Sequence, residues 1–185
     1  MIISHKHKFI LLHAGKCAGS SIRHCLNTII DEPKLKISQN HPNLSYLQET
    51  ISKSNRNPQE YMVVSIVRNP FDRMVSWYYH ALTISKSFIG SFEDFCETRL
   101  SAYSDNLIPP YEKCNHVIRY EHLQNDFNTF LKFIGLPPHK LLHVNQNTDR
   151  PVCHYSELYT EKSKQITFNY FAKVIDRFSY KFQKK

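Results

Sequence analysis

The chain has 185 residues, 41% apolar and 13% aromatic, enough for one hydrophobic core and too few for a second independent domain. Twenty-four Lys and Arg against sixteen Asp and Glu give a net charge of +8, which favours anionic partners without choosing among nucleotides, nucleic acids and acidic glycans. Five scattered cysteines with no CxxC pair argue against a disulfide framework and a structural zinc site, and no apolar run approaches the roughly 20 residues of a membrane span.

Lys8 to His13 reads as a short buried strand, followed by a small-residue loop and a helix over Ser20 to Ile30 with Ile22, Leu26 and Ile29 on one face. Residues 31–42 form a polar excursion, and Leu44 to Ser54 a short helix. Tyr61 to Val67 is a continuous β-branched run, as expected of a central parallel strand covered on both faces. Asn69 then supplies an N-cap and Pro70 a first helical position, for a helix to about Leu82. Glu93 to Leu100 is a further helix, Asn115 to Tyr120 a strand, and Glu121 to Ile134 a helix stopped by Gly135 and Pro137. After a loop-like stretch from His139 to Tyr155, Glu157 to Asp176 reads as one long helix before a Lys-rich tail. The alternation predicts a single α/β domain over residues 1–185, with a P-loop-like parallel sheet flanked by helices.

Two segments carry chemistry. In the first, residues 13–21 (HAGKCAGSS), a strand enters a small-residue loop that opens a helix, which delivers backbone N–H groups and a helix dipole to one point, a phosphate site. Lys16 supplies a cation, Ala18 and Gly19 main-chain donors at close approach, and Ser20 and Ser21 hydroxyls. A Walker A loop is excluded, because here the Lys precedes the second Gly instead of following it. In the second, residues 67–79 (VRNPFDRMVSWYY), Arg68 stands at the carboxyl end of the central strand, where ligands of open α/β sheets collect. That predicts a second anion, held by the Arg68 fork and by the Ser76 hydroxyl on the following helix. Asp72 and Arg73 read as structural, the first for the helix dipole and the second paired with a carboxylate; Trp77, Tyr78 and Tyr79 read either as core aromatics or as an adenine platform.

These two segments, in this order, resemble the 5'-phosphosulfate loop (13–21) and the 3'-phosphate motif (67–79) of sulfotransferases that use 3'-phosphoadenosine-5'-phosphosulfate (PAPS). HAGKCAGSSI looks like the HIPKTAGTSL loop of the carbohydrate, Golgi-type branch, and VRNPFDRMVSWYY like its RNPxxRxxSxYY motif. Arg119-Tyr120-Glu121 with Asp126-Phe127, His143-Val144-Asn145, and Asp176 to Tyr180 extend the likeness over nearly the whole chain. The resemblance implies PAPS as donor co-substrate, without a metal, held by Lys16, Ala18, Gly19, Ser20 and Ser21 at the phosphosulfate and by Arg68 and Ser76 at the 3'-phosphate. It further implies a sugar or other hydroxylated acceptor and His41, between the two motifs, as the catalytic base. Gly15 and Cys17 depart from the family's proline and threonine, and the missing Cys17 hydroxyl is expected to weaken the donor site.

Lys16 stands where it would neutralise charge growing on the leaving phosphate. Of the eleven histidines, His13 reads as a packed strand residue, His5 and His7 as solvated, and His143 and His154 as cleft-lining. Two other classes fit part of the pattern. A P-loop kinase lacks here the Ser or Thr after Lys and a strand-terminal Asp for magnesium. A non-enzymatic binder of nucleic acid or acidic glycan fits the charge, but the basic residues are dispersed, so no nucleic acid partner is expected. With scattered cysteines and no leader sequence, the expected location is cytoplasmic, and a trimmed luminal domain would share this composition.

Overall fold

The computed structural model describes residues 1–30, 43–102, 108–142, 151 and 153–185. They fall into two compact units, Met1–Val67 with Ile108–Asn145 and Arg68–Leu107 with Gln146–Lys185.

The first unit holds the sheet. Among the described residues its strands are β1 (Ile2–Ser4), β2 (Phe9–His13), β3 (Met62–Val67) and β4 (His116–Arg119), side by side in that order. β2, β3 and β4 run parallel, with His13 opposite Ile66 and Val67 opposite Arg119, so their carboxyl ends share one edge. β1 pairs antiparallel with β2, Ile3 opposite Ile10, so the sheet is mixed where the sequence reading expected it parallel. Three residues are too short a run to show a strand period, which is why β1 escaped that reading.

The strand alternation sorts side chains to two faces. Phe9, Leu11, Val64, Ile66 and Ile118 meet Ile22, Cys25 and Leu26 of α1 (Gly19–Ile29), and Phe127, Phe130 and Leu131, which lie three and four apart on one stripe of a second helix. Ile10, Leu12 and Val63 meet Leu44, Leu47 and Ile51 of α2 (Leu44–Lys53) on the opposite face. β3 is covered on both faces, which explains why its residues are apolar save for the buried Ser65. This is the expected α/β architecture, a central sheet flanked by helices.

In the second unit Asn69 caps α3 (Pro70–Tyr79) by accepting the Phe71 N–H at 3.0 Å, with Pro70 at the first helical position as the sequence required. The helix then loosens into a π turn over His80–Ile84. Trp77 and Tyr78 set their ring edges against Phe95 of α4 (Phe92–Ala102) at 5.4 and 5.5 Å, and the Tyr78 hydroxyl donates to the Gly90 carbonyl at 3.0 Å. Back in the first unit, the helix against the sheet is α5 (Leu123–Phe133), preceded by a 3-10 turn over Tyr120–His122. Its end is set by Gly135 at φ 76, which lets the Leu136 N–H reach the Leu131 carbonyl at 2.8 Å.

The single long helix expected over 157–176 is three pieces: a 3-10 turn over Tyr155–Leu158, α6 (Glu161–Tyr170) and α7 (Ala172–Phe178). Thr160 resets the start by accepting the Ser163 N–H at 3.1 Å, and Phe171, 1% exposed, interrupts the run with a non-helical ψ of 17°. Two further expectations change. His5 and His7 are half-buried and bonded, to the Tyr61 hydroxyl at 2.6 Å and the Ile134 carbonyl at 3.0 Å, and His154 caps the 3-10 turn through Nδ1. Among the described residues no helix is long and apolar enough to cross a membrane.

Candidate active site

In the first unit β2 ends at His13 and α1 begins at Gly19, and the intervening loop has an unusual backbone. Lys16 and Ala18 both adopt positive φ, 67° and 59°, while Gly15 and Gly19 do not. Left-handed residues on either side of Cys17 bend the chain sharply just before α1, and turns of this kind can present N–H groups to an anion. The N-cap of α1 is Ala18, which offers no side-chain hydrogen bond to the first turn, and no acidic residue lies in that turn. α2, α3 and α6 instead begin with Asn43, Asn69 and Thr160 accepting an N–H of their first turn. Lys16, Ala18 and Ser20 are half-buried, whereas Gly19 and Ser21 are buried.

Gly19 owes its lack of a side chain to His13. A Cβ built there would lie 2.2 Å from His13 Cδ2 and 2.6 Å from Cγ, so the imidazole packs against the first residue of α1 and ties both ends of the loop together. His13 is therefore the packed histidine the sequence suggested. Cys17, 1% exposed, sits in the core beneath the loop, and its thiol donates to the Gly15 carbonyl at 3.7 Å.

In the second unit Arg68 is 7% exposed and folds forward onto α3, its Nε and Nη2 both donating to Asp72 Oδ2, at 2.8 and 2.6 Å. Asp72 and Ser76 stand four apart and so share one helical face, which places the half-buried Ser76 one turn beyond the ion pair. Asp72, read from the sequence as a helix-dipole acid, also pairs with Arg68. Arg73 is buried with its guanidinium 5.5 Å from the Phe171 ring centre. The i,i+4 spacing of Arg68 and Asp72 was the signal for this pair. Trp77 and Tyr78 are packing residues on α4.

The structure thus places Lys16 and Ala18 in the loop and Gly19, Ser20 and Ser21 in the first turn of α1, and puts Arg68 just before α3 with Ser76 on that helix, each set within its own unit. His41 and His143 lie outside the described residues. Asp126, from the third resembling segment, binds the Arg119 N–H at 2.7 Å and locks the end of β4 to α5. Among the described residues no group of three or more His, Cys, Asp or Glu is arranged to hold a metal ion.

A family profile described as "Sulfotransferase family" matches residues 1–182. Among solved structures, one described as mouse sulfotransferase SULT7A1 complexed with PAP aligns at a TM-score of 0.64 and 16% sequence identity, covering 94% of this chain and 85% of that one. At that identity the likeness speaks to the fold. No curated protein sequence gives a match.

Proposed function

Because the chain belongs to the sulfotransferase family, we propose that it moves a sulfuryl group from PAPS to an acceptor hydroxyl, with a carbohydrate or glycoconjugate as acceptor. The observation that carries this reading is the loop of residues 14–18, where Lys16 and Ala18 hold left-handed backbone at the start of α1. Main-chain N–H groups, the α1 dipole and the Lys16 ammonium together suit the 5'-phosphosulfate. Arg68 and Ser76 take the 3'-phosphate: Asp72 occupies the Nε side of the guanidinium, and the opposite end, Nη1 with Nη2, is the edge that forks a phosphate.

In the reaction the acceptor oxygen forms a bond to sulfur while the bond from sulfur to the 5'-phosphate oxygen breaks. The electron pair leaves with 3'-phosphoadenosine-5'-phosphate (PAP), and the acceptor proton passes to a base. Lys16 neutralises the charge growing on the leaving oxygen, the kind of electrostatic contribution that is often largest in catalysis. His41 is the proposed base, on the resemblance of its place between the two motifs.

Titration calorimetry with PAP, AMP and ATP tests the donor. Clear preference for PAP is the expected result, and equal or ATP-favouring affinity would overturn it. Screening hydroxylated acceptors with radiolabelled PAPS tests the sugar assignment, while His41→Ala with wild-type turnover would remove that residue from the base role.

A further inference from the structure

Arg68 lies just before the N-cap of α3 and takes its orientation from a carboxylate one turn into that helix. Whatever fixes the first turn of α3 therefore fixes the guanidinium. Within the second unit this turn is held by aromatic residues far along the chain. Phe71, 1% exposed, stacks against Tyr155 at 6.4 Å and meets the ring edges of Tyr159 and Phe182 at 5.7 and 5.0 Å. Tyr159 adds a directional contact: its hydroxyl donates to the Phe71 carbonyl at 3.0 Å, on the peptide that leads into Asp72. Its own ring is fixed by Phe92 at 4.7 Å and Phe182 at 5.3 Å.

We propose that Tyr159 is a positioning residue for 3'-phosphate recognition, its hydroxyl holding the Phe71–Asp72 peptide so that Asp72 presents the Arg68 guanidinium at a fixed angle. The proposal rests on the assignment of Arg68 to the 3'-phosphate. Two features suit the role. Burial, with smaller contributions that include the Asp72 carboxylate, pushes the Tyr159 phenol well above its usual pKa, so the hydroxyl stays a donor throughout the working pH range. The contact spans 88 residues, so it ties α3 to the segment before α6.

The experiment compares PAP with AMP, which lacks the 3'-phosphate, by titration calorimetry on the full chain. Tyr159→Phe keeps the ring and removes the hydroxyl. The expected result is a loss of about three- to tenfold in PAP affinity, the range of one net hydrogen bond, with AMP affinity unchanged. The KM for PAPS should rise by the same factor at near-constant kcat. Tyr155→Phe is the packing control, since its hydroxyl accepts the Gln183 N–H at 2.7 Å and leaves Phe71 alone; it should keep the wild-type PAP to AMP ratio. Equal losses for PAP and AMP in Tyr159→Phe, no loss, or the same selective loss in Tyr155→Phe would each overturn the proposal. Arg68→Ala separates the two levels. If it collapses the PAP to AMP ratio while Tyr159→Phe does not, the positioning role alone fails. If it leaves the ratio intact, the assignment of Arg68 fails and the role of Tyr159 with it.

Discussion

Gly19→Ala tests the loop through a single methyl group. The new Cβ would sit 2.2 Å from His13 Cδ2, 2.6 Å from Cγ and 3.0 Å from Nε2, against ordinary carbon contacts of about 3.5–4.0 Å, so the imidazole has to move by more than about 1 Å. Forcing an extra methyl into packed surroundings costs about 1–3 kcal/mol. Replacing Gly by Ala returns at most about 1 kcal/mol of helix propensity, and less at the first position of a helix. The clash wins, and a net destabilisation of about 1–2 kcal/mol lowers the melting temperature of a chain this size by about 2–8 °C. Because His13 and Gly19 bracket Lys16 and Ala18, PAP affinity should fall as well. In a His13→Ala background the same substitution meets no ring and should be neutral or slightly stabilising, so the cycle carries about 1–2 kcal/mol of coupling. Thermal melts and calorimetry of the four proteins decide it. A wild-type melting temperature for Gly19→Ala, or additive effects in the cycle, would refute the reasoning.

Lys16→Ala should lower kcat by about 10²–10³-fold, the usual loss of one transition-state charge contact; steady-state rates with saturating PAPS and wild-type turnover would remove Lys16 from that role. Burial pushes the Cys96 thiol up to about 12 and raises that of Cys25, so at pH 8 both remain neutral and unreactive. A thiol-disulfide reagent should therefore modify the half-buried Cys114 and Cys153 first and the buried cysteines only on unfolding, as followed by mass spectrometry. Asp126→Ala leaves the Arg119 N–H without its carboxylate partner and should cost about 1–3 kcal/mol in urea denaturation, with Asp126→Asn retaining part of it.

Those parts of the fold written locally were legible. Largely apolar runs at 9–13 and 62–67 mark buried strands, Asn69-Pro70 marks the start of α3, and Gly135 marks the end of α5 because only a left-handed residue closes that turn easily. Contacts between distant segments were not. Nothing near residue 159 announces that its hydroxyl meets residue 71, and nothing in HAGKCAG tells that Gly19 makes room for an imidazole rather than for a ligand. Arg68 lies between these cases: its four-residue spacing to Asp72 was visible in the sequence, but the ion pair itself is seen only in the fold, as is the placement of Arg73 against the Phe171 ring.

The same distinction bears on the loop, where the motif it resembles has proline and threonine in place of Gly15 and Cys17. Proline and threonine at positions 15 and 17 would act through local stiffness and a side-chain hydroxyl. Here the conformation is held by packing: Cys17 is anchored in the core with its thiol on the Gly15 carbonyl, and the His13 ring packs against Gly19. Two non-glycine residues at positive φ cost on the order of 1–3 kcal/mol each, and such strain persists only where the surroundings over-determine it. A relaxed turn would have placed glycine at 16 and 18, the two positions that are left-handed, and set Lys and Ala elsewhere. Keeping the lysine at a strained position fixes its backbone N–H and the root of its ammonium-bearing side chain together, which suits the role proposed for Lys16 at the leaving oxygen.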